Sequence, residues 1–204
     1  MAALGSQRGS GMNEITAPTT GPARTGDDLM PGDPSRRELL ASMIRVDQAG
    51  EYGAVRIYQG QRAVLGRGVH GPVLEHMERQ EREHLATFNR LAAERRVRPT
   101  LLTPIWHVAG FALGAATALL GERAAMACTV AVEEVIDEHY AEQARRLGAD
   151  EPELKATVEQ YRAEEVEHRD IGLANGAEQA PGYPLLTGAI KAGSRLAIWL
   201  SSRI

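Results

Sequence analysis

The chain has 204 residues, with 23 Lys and Arg against 27 Asp and Glu, a net charge of -4. That length allows one sizeable core or two small ones, and the acidic balance excludes broad nucleic-acid binding, which needs a basic face to displace counterions from phosphates. Aromatic residues make up only 4%, and Ala, Leu, Glu and Arg recur without long β-branched runs, which predicts an all-α protein.

Residues 1–34 are rich in Gly, Pro, Ser and Thr and lack an apolar signal segment. They read as a disordered leader, ahead of a single domain at 35–204. Their shortage of acids up to Asp27 keeps an organelle-targeting reading open. Structure is expected to begin at Ser35, where "SRRE" forms a capping box and starts a helix running to about Leu65. "GRGVHGP" (66–72) breaks that helix, and Pro72 suits the first turn of a second one, which ends near Arg96 ahead of Pro99. Residues 99–121 carry no Asp, Glu, Lys or Arg and predict a third helix over Ile105–Leu120. A fourth follows from Glu122 to Leu147 and holds Cys128, the one cysteine, which in its apolar run reads as a buried, inert thiol. After the turn "GADEP" (148–152) a fifth helix spans Glu153–Leu173. After "GAEQAPGYP" (176–184) a last one starts at Leu185.

Four of these helices carry acids where a bundle seam should be apolar. The second reads Leu74, Met77, Glu81, His84, Phe88, Leu91, and the fifth reads Leu154, Val158, Tyr161, Glu165, His168. The steps of three and four are those of an inward stripe, and residues three apart lie one turn along the same face. Glu and His therefore converge twice. The first helix (Leu40, Ile44, Asp47, Glu51, Ala54, Tyr58) and the fourth (Met126, Val130, Glu133, Ile136, Tyr140, Ala144) each add one Glu and, seven residues on, a Tyr of the same face. The chain thus reads as two similar hairpins, each with three ligand-type groups.

Packed antiparallel, the hairpins would gather four carboxylates and two imidazoles. Burying that many anions costs several kcal/mol per ion unless something offsets it. Two divalent cations would balance the charge, and mixed carboxylate and imidazole ligation suits iron or manganese. This constellation is that of the di-iron and di-manganese helix bundles. Iron storage, peroxide dismutation and a metal-free interaction bundle are the rival uses of such a scaffold.

"RVDQAGEYGA" (45–54), "QEREHL" (80–85), "RVRPT" (96–100), "GFALGAATALLG" (110–121), "ACTVAVEE" (127–134) and "EHRDIG" (167–172) together resemble the demethoxyubiquinone hydroxylase family, over about residues 36–204. The resemblance implies a ferritin-like four-helix bundle with two additional apolar or amphipathic helices. It implies metal ligands Glu51, Glu81 and His84 on one side and Glu133, Glu165 and His168 on the other. It also implies two iron ions per chain, O2 as co-substrate, and hydroxylation of a polyprenyl-methoxy-methyl-benzoquinol ring late in ubiquinone biosynthesis. The resemblance also implies that the quinol itself, or NADH passing electrons through the bound quinone, supplies electrons, and no Rossmann-type nucleotide-binding domain is expected. His139 and Tyr140 match family positions near the di-iron centre.

Around the expected ligands several roles stay open. Tyr58 and Tyr140 either relay electrons or protons or hydrogen-bond a ligand carboxylate. His139 either touches substrate or supports the site. Asp47 either orients a ligand imidazole or forms a salt bridge. Asp170 is a weaker candidate than Asp47, and His70, His76 and His107, which lack partners at ligand spacing, read as ordinary.

A polyprenyl substrate stays in the bilayer, so the enzyme must approach a membrane surface. Prolines and glycines leave the uncharged stretch too short to cross it, and Gly110 and Gly114 suit close helix contact. The last helix has no acid and carries Lys191, Arg195 and Arg203 among Leu, Ile and Trp199, as a headgroup-binding helix would. The protein is expected to sit peripherally on a membrane, its third and last helices forming an oily portal to the metal, the competing use being burial in the bundle or at a homodimer contact. The expected place is the cytoplasmic side of a bacterial inner membrane, or the matrix side of the mitochondrial inner membrane. Ubiquinone-biosynthesis proteins are the other candidate partners.

Overall fold

A computed structural model describes residues 32–204; the expected leader lies almost wholly outside them. Six α-helices follow in order: α1 Arg36–Leu65, α2 Gly71–Glu94, α3 Thr103–Leu119, α4 Glu122–Leu147, α5 Pro152–Ala174 and α6 Tyr183–Ser201, with one short 3₁₀ turn at Ala177–Gln179. Among the described residues there is no strand, and the fold is all-α. Each boundary has a local cause. Ser35 and Glu38 form the capping box, the Ser35 N–H donating to Glu38 Oε2 at 2.8 Å, a device that contributes about 1 kcal/mol. Pro72, Pro104, Pro152 and Pro184 lie in the first turns of α2, α3, α5 and α6. α4 lies between Gly121 and Gly148, whose positive φ values of 113° and 61° glycine adopts readily.

α1 packs along α2 and α3, and α4 packs along α5 and α6. The four long helices α1, α2, α4 and α5 make the bundle. Its interior is layered. One apolar layer gathers Leu40, Ile44, Phe88, Leu147, Leu154 and Val158. The other gathers Tyr58, Leu74, Met77, Met126, Val130 and Ala177. Along every bundle helix the acidic seam positions fall between these two layers. The polar centre is therefore clamped by oil at both ends, where side-chain packing fixes helix positions tightly.

α3 lies against α1 at near-contact of the two backbones. A Cβ on Gly114 would run into the Ile57 carbonyl oxygen, and one on Gly60 into that of Phe111. Gly114→Val should therefore push α3 off α1 and cost about 3 kcal/mol, the upper end for overpacking, because backbone cannot move aside as a side chain can. Urea denaturation checks this, with Gly188→Ala, whose new methyl meets nothing within 4 Å, as the harmless comparison.

α3 and α6 leave large apolar side chains exposed, among them Val108, Leu119, Leu185, Leu196 and Trp199. Among the described residues no helix is long and apolar enough to cross a membrane. Two of the three cations expected to face headgroups pair with acids of the bundle at its surface. Lys191 pairs with Glu134, and Arg195 with Glu138 at 2.9 Å, both on α4. Arg203 stacks over the Trp199 ring at 4.1 Å. Cys128 is fully buried, and burial, opposed only by Thr117, pushes its thiol up to about 12, which keeps it protonated and unreactive.

Candidate metal centre

Glu51 comes from α1, Glu81 and His84 from α2, Glu133 from α4, and Glu165 and His168 from α5. All six are essentially without solvent exposure. The structure brings them together as two quartets: Glu51, Glu81, His84 and Glu165, and Glu81, Glu133, Glu165 and His168. Within each, the facing ligand atoms lie within 4.8 Å of one another. Spacing along the sequence divides the six into three per hairpin. In space each quartet draws on both hairpins, and Glu81 and Glu165 belong to both.

The two imidazoles turn Nδ1 to the centre. His84 Nδ1 lies 3.2 Å from Glu165 Oε1 and 3.4 Å from Glu51 Oε2. His168 Nδ1 lies 3.0 Å from Glu81 Oε1 and 3.4 Å from Glu165 Oε2. Each Nε2 points outward to a partner on the opposite hairpin: Glu164 Oε2 at 2.7 Å for His84, Gln80 Oε1 at 3.0 Å for His168. His84 also stacks on Tyr161 at 3.9 Å between centroids, which fixes its ring plane.

Tyr58 on α1 donates from its hydroxyl to Glu133 Oε1 at 2.6 Å, and Tyr140 on α4 donates to Glu51 Oε1. Each tyrosine thus serves the carboxylate of the other hairpin, not the one seven residues before it. Asp47 does not reach a ligand imidazole. It is buried and accepts from Gln143 Nε2 at 2.5 Å, with His139 Nε2 at 3.2 Å from the same oxygen. An i, i+4 spacing on α1 left open which ring Asp47 meets, and the packing of α4 decides it. Asp170 pairs with Arg169, His70 with Glu122, His76 with Glu167, and His107 with the Tyr52 hydroxyl, all away from the centre.

The ionisation pattern follows from crowding. Burial, reinforced by Glu165 and Glu51, raises the Glu81 carboxyl far above the usual carboxylate range. Burial, with Glu165 and Glu81, does the same to Glu133. Burial opposes charge on Glu165 too, but His168 and His84 overcome it and hold that carboxyl low. Burial also opposes charge on the imidazoles, yet Glu165 and Glu51 raise His84, and Glu165 and Glu133 raise His168.

Protons alone leave the centre unsatisfied. Both oxygens of Glu81 and of Glu165, Oε2 of Glu51 and of Glu133, and Nδ1 of both histidines are buried without a hydrogen-bond partner. Buried polar atoms are otherwise paired in nearly all cases. Eight such atoms converging from four helices fit a pair of divalent cations, and oxygen with imidazole donors suits iron or manganese.

A cavity of about 590 Å³ lies between α1, α3, α4 and α6 and reaches this centre. Glu51, Tyr140, Asp47 and His139 line it, and most of the remaining wall is apolar, including Ile57, Leu113, Val132 and Ile190. The oily portal expected from the third and last helices corresponds to this cavity, which α3 and α6 help to wall, but sequence reasoning did not locate the outer partners Gln80 and Glu164. Those two directly precede Glu81 and Glu165, and their matched positions in the two hairpins were the available signal. A further buried acid, Glu78, also escaped it. Arg62 at 2.6 Å and Arg82 at 2.6 Å hold Glu78 ionised on the flank of α2.

Comparison with known proteins adds the lineage. The family model described as ubiquinone biosynthesis protein COQ7 matches residues 38–201. The 3-demethoxyubiquinol 3-hydroxylase of Rhodospirillum rubrum is 65% identical over 182 residues, covering 89% of this chain and 86% of its own. The human NADPH-dependent 3-demethoxyubiquinone 3-hydroxylase, mitochondrial, is 55% identical over 172 residues, covering 82% and 79%. The yeast 5-demethoxyubiquinone hydroxylase, mitochondrial, is 46% identical over 183 residues, covering 81% and 78%. On that similarity, spread across all six helices, the chain belongs to the COQ7 family of ubiquinone biosynthesis proteins.

Proposed function

We propose that this chain is an O2-dependent di-iron monooxygenase that hydroxylates the ring of a 2-polyprenyl-3-methyl-6-methoxy-1,4-benzoquinol late in ubiquinone biosynthesis. One observation carries the reading beyond kinship. Glu51 belongs both to a metal-ready quartet and to the wall of an apolar cavity large enough for a substituted quinol ring. Storage or dismutation of small ions and peroxides needs no such cavity.

Glu51, Glu81, His84 and Glu165 would hold one iron ion, and Glu81, Glu133, Glu165 and His168 the other. Iron bound there supplies the electrons that O2 requires before it reacts with a closed-shell ring. The chain's own residues do the rest. Tyr140 and Tyr58 fix the orientation of Glu51 and Glu133 through their hydroxyls, as outer partners of metal ligands do. Asp47 keeps Oδ2 without a partner at the cavity wall, where it can accept from a ring hydroxyl. His139, whose Nε2 lies 3.2 Å from Asp47 Oδ1, can hold a proton at Nε2 and donate it to that carboxylate. The apolar wall excludes water from the ring.

The polyprenyl tail would leave the cavity between α3 and α6, whose exposed Val108, Leu196 and Trp199 suit a bilayer surface. The protein would then sit peripherally on the cytoplasmic face of a bacterial inner membrane, or on the matrix face of the inner membrane in mitochondria, the organelle that the names of the eukaryotic relatives give for those proteins. Two further electrons per turnover would come from a reduced nicotinamide, as the human relative's name indicates for that protein, or from the quinol.

The test is turnover of a short-chain demethoxyquinone by the iron-loaded protein with NADPH or NADH and isotopically labelled O2. The expected result is one labelled oxygen in the hydroxylated ring. Iron-loaded protein that yields no hydroxylated product under any of these donors overturns the reading.

A further inference from the structure

The centre is nearly two-fold symmetric, and it departs from symmetry at a position that matters for metal. Glu81 matches Glu165, Glu51 matches Glu133, Tyr140 matches Tyr58, and the two histidines are equally buried. The outer partners do not match. "QEREH" (80–84) places a neutral amide one residue before its shared glutamate, and "EEVEH" (164–168) places a carboxylate there. Because the hairpins cross, Glu164 stands behind His84 and Gln80 behind His168.

We propose that the two metal positions are inequivalent, and that the Glu51 and His84 position binds its ion first and more tightly because Glu164, not a neutral amide, accepts the outward N–H of His84. The proposal rests on the di-metal reading above. A carboxylate acceptor draws the Nε2 proton toward itself, raises electron density at Nδ1 and makes the imidazole a stronger donor. It also places a full negative charge near the ion, where an amide places only a dipole. The 2.7 Å contact at Glu164 against 3.0 Å at Gln80 agrees with a charge-assisted bond on one side and a neutral one on the other. Glu164 is steadied by Gln160 Nε2 at 3.0 Å on its other oxygen, so its carboxylate is set in place for His84. The favoured position is also the one at the cavity, since Glu51 lines that wall and Glu133 does not. Glu164 and Gln80 are positioning residues: they act on the metal through an imidazole.

The test uses the full chain stripped of metal and titrated with Co(II) by calorimetry, in wild type, Glu164→Gln and Gln80→Glu. Wild type should take up two ions in two separate steps. Glu164→Gln should weaken the first step about 10–100-fold, the usual effect of changing an outer partner, and bring the steps together. Gln80→Glu should tighten the second step by a similar factor. Mössbauer spectra of the iron-loaded proteins should resolve two iron environments in wild type that converge in Glu164→Gln. A merely structural role for Glu164 would not produce that convergence. Step constants that agree in all three proteins, or a Glu164→Gln change confined to the second step, overturn the inequivalence while leaving the di-metal reading intact. No uptake of Co(II) by wild type overturns both. Should Glu164→Gln fail to fold, Gln80→Glu alone decides, by tightening the second step or not.

Discussion

Glu165→Gln should give a folded six-helix protein that retains at most one iron per chain and has lost its hydroxylation activity. Glu165 is the sharpest choice because it is fully buried, belongs to both quartets and presents two partnerless oxygens to the centre. The amide keeps the shape but removes the negative charge and leaves a single oxygen donor. Losing an outer partner costs about 10–100-fold in metal affinity, so losing a group shared by both positions should exceed about 100-fold. Metal analysis after gel filtration, circular dichroism and the quinol assay check the three parts. Glu167→Gln, on the exposed side of the same helix turn, should change none of them. A Glu165→Gln protein that keeps two tightly bound irons would sink the ligand assignment.

The metal-free protein should melt at lower temperature as pH rises from about 5 to about 8, and the gain on adding metal should grow over the same range. The sign follows from the direction of each shift. Burial and neighbouring carboxylates raise Glu81 and Glu133, so the folded chain keeps protons that the unfolded chain releases near about 4.3. Their contribution to stability is therefore full below that pH and is lost as pH climbs through the raised folded values. His84 and His168, despite burial, are raised by Glu165 and by Glu51 or Glu133, so they act in the same direction above about 6.5. Glu165 has the opposite sign, being held low by His168 and His84 against burial, but its contribution disappears only below the ordinary carboxylate range. Metal displaces these protons, so its binding strengthens with pH. For a domain of this size each 1 kcal/mol moves the melting temperature by roughly 2–4 °C, so a drop of several degrees is readable by calorimetry. A flat or rising profile for metal-free protein would contradict the crowding.

The helices were legible because each bundle helix carries an apolar stripe with a capped or glycine-marked end. Ile44, Leu74, Phe88, Met126 and Val158 all lie in the core at the positions their spacing assigns. The ends moved by one or two residues. Pro152 and Tyr183 entered α5 and α6 because an N-terminal turn tolerates proline and needs no apolar contact. That Glu51, Glu81, His84, Glu133, Glu165 and His168 face inward was also legible, from polar residues replacing apolar ones in the stripe. Their grouping was not. One-helix periodicity gives a direction but not a depth, so it cannot say that Glu81 and Glu165 sit between the two positions. The tyrosine bonds, the Asp47 and His139 pair and the Glu164 and Gln80 contacts all cross from one hairpin to the other. Such pairings depend on how far the hairpins slide past each other, which no local pattern records. The cavity needs α3 and α6 in place, and α3 is positioned by the absence of side chains at Gly60 and Gly114.

That cross-over has a kinetic corollary. Each hairpin closes on short-range contacts and can form early, while the centre exists only after both have docked, since neither quartet can be completed from one hairpin. During synthesis the ribosome must release His168, late in the chain, before an ion finds a finished seat. Until then the emerging half-protein presents Glu51, Glu81 and His84 on an unpaired seam, so the cell has to keep that seam from other chains before it can offer it iron.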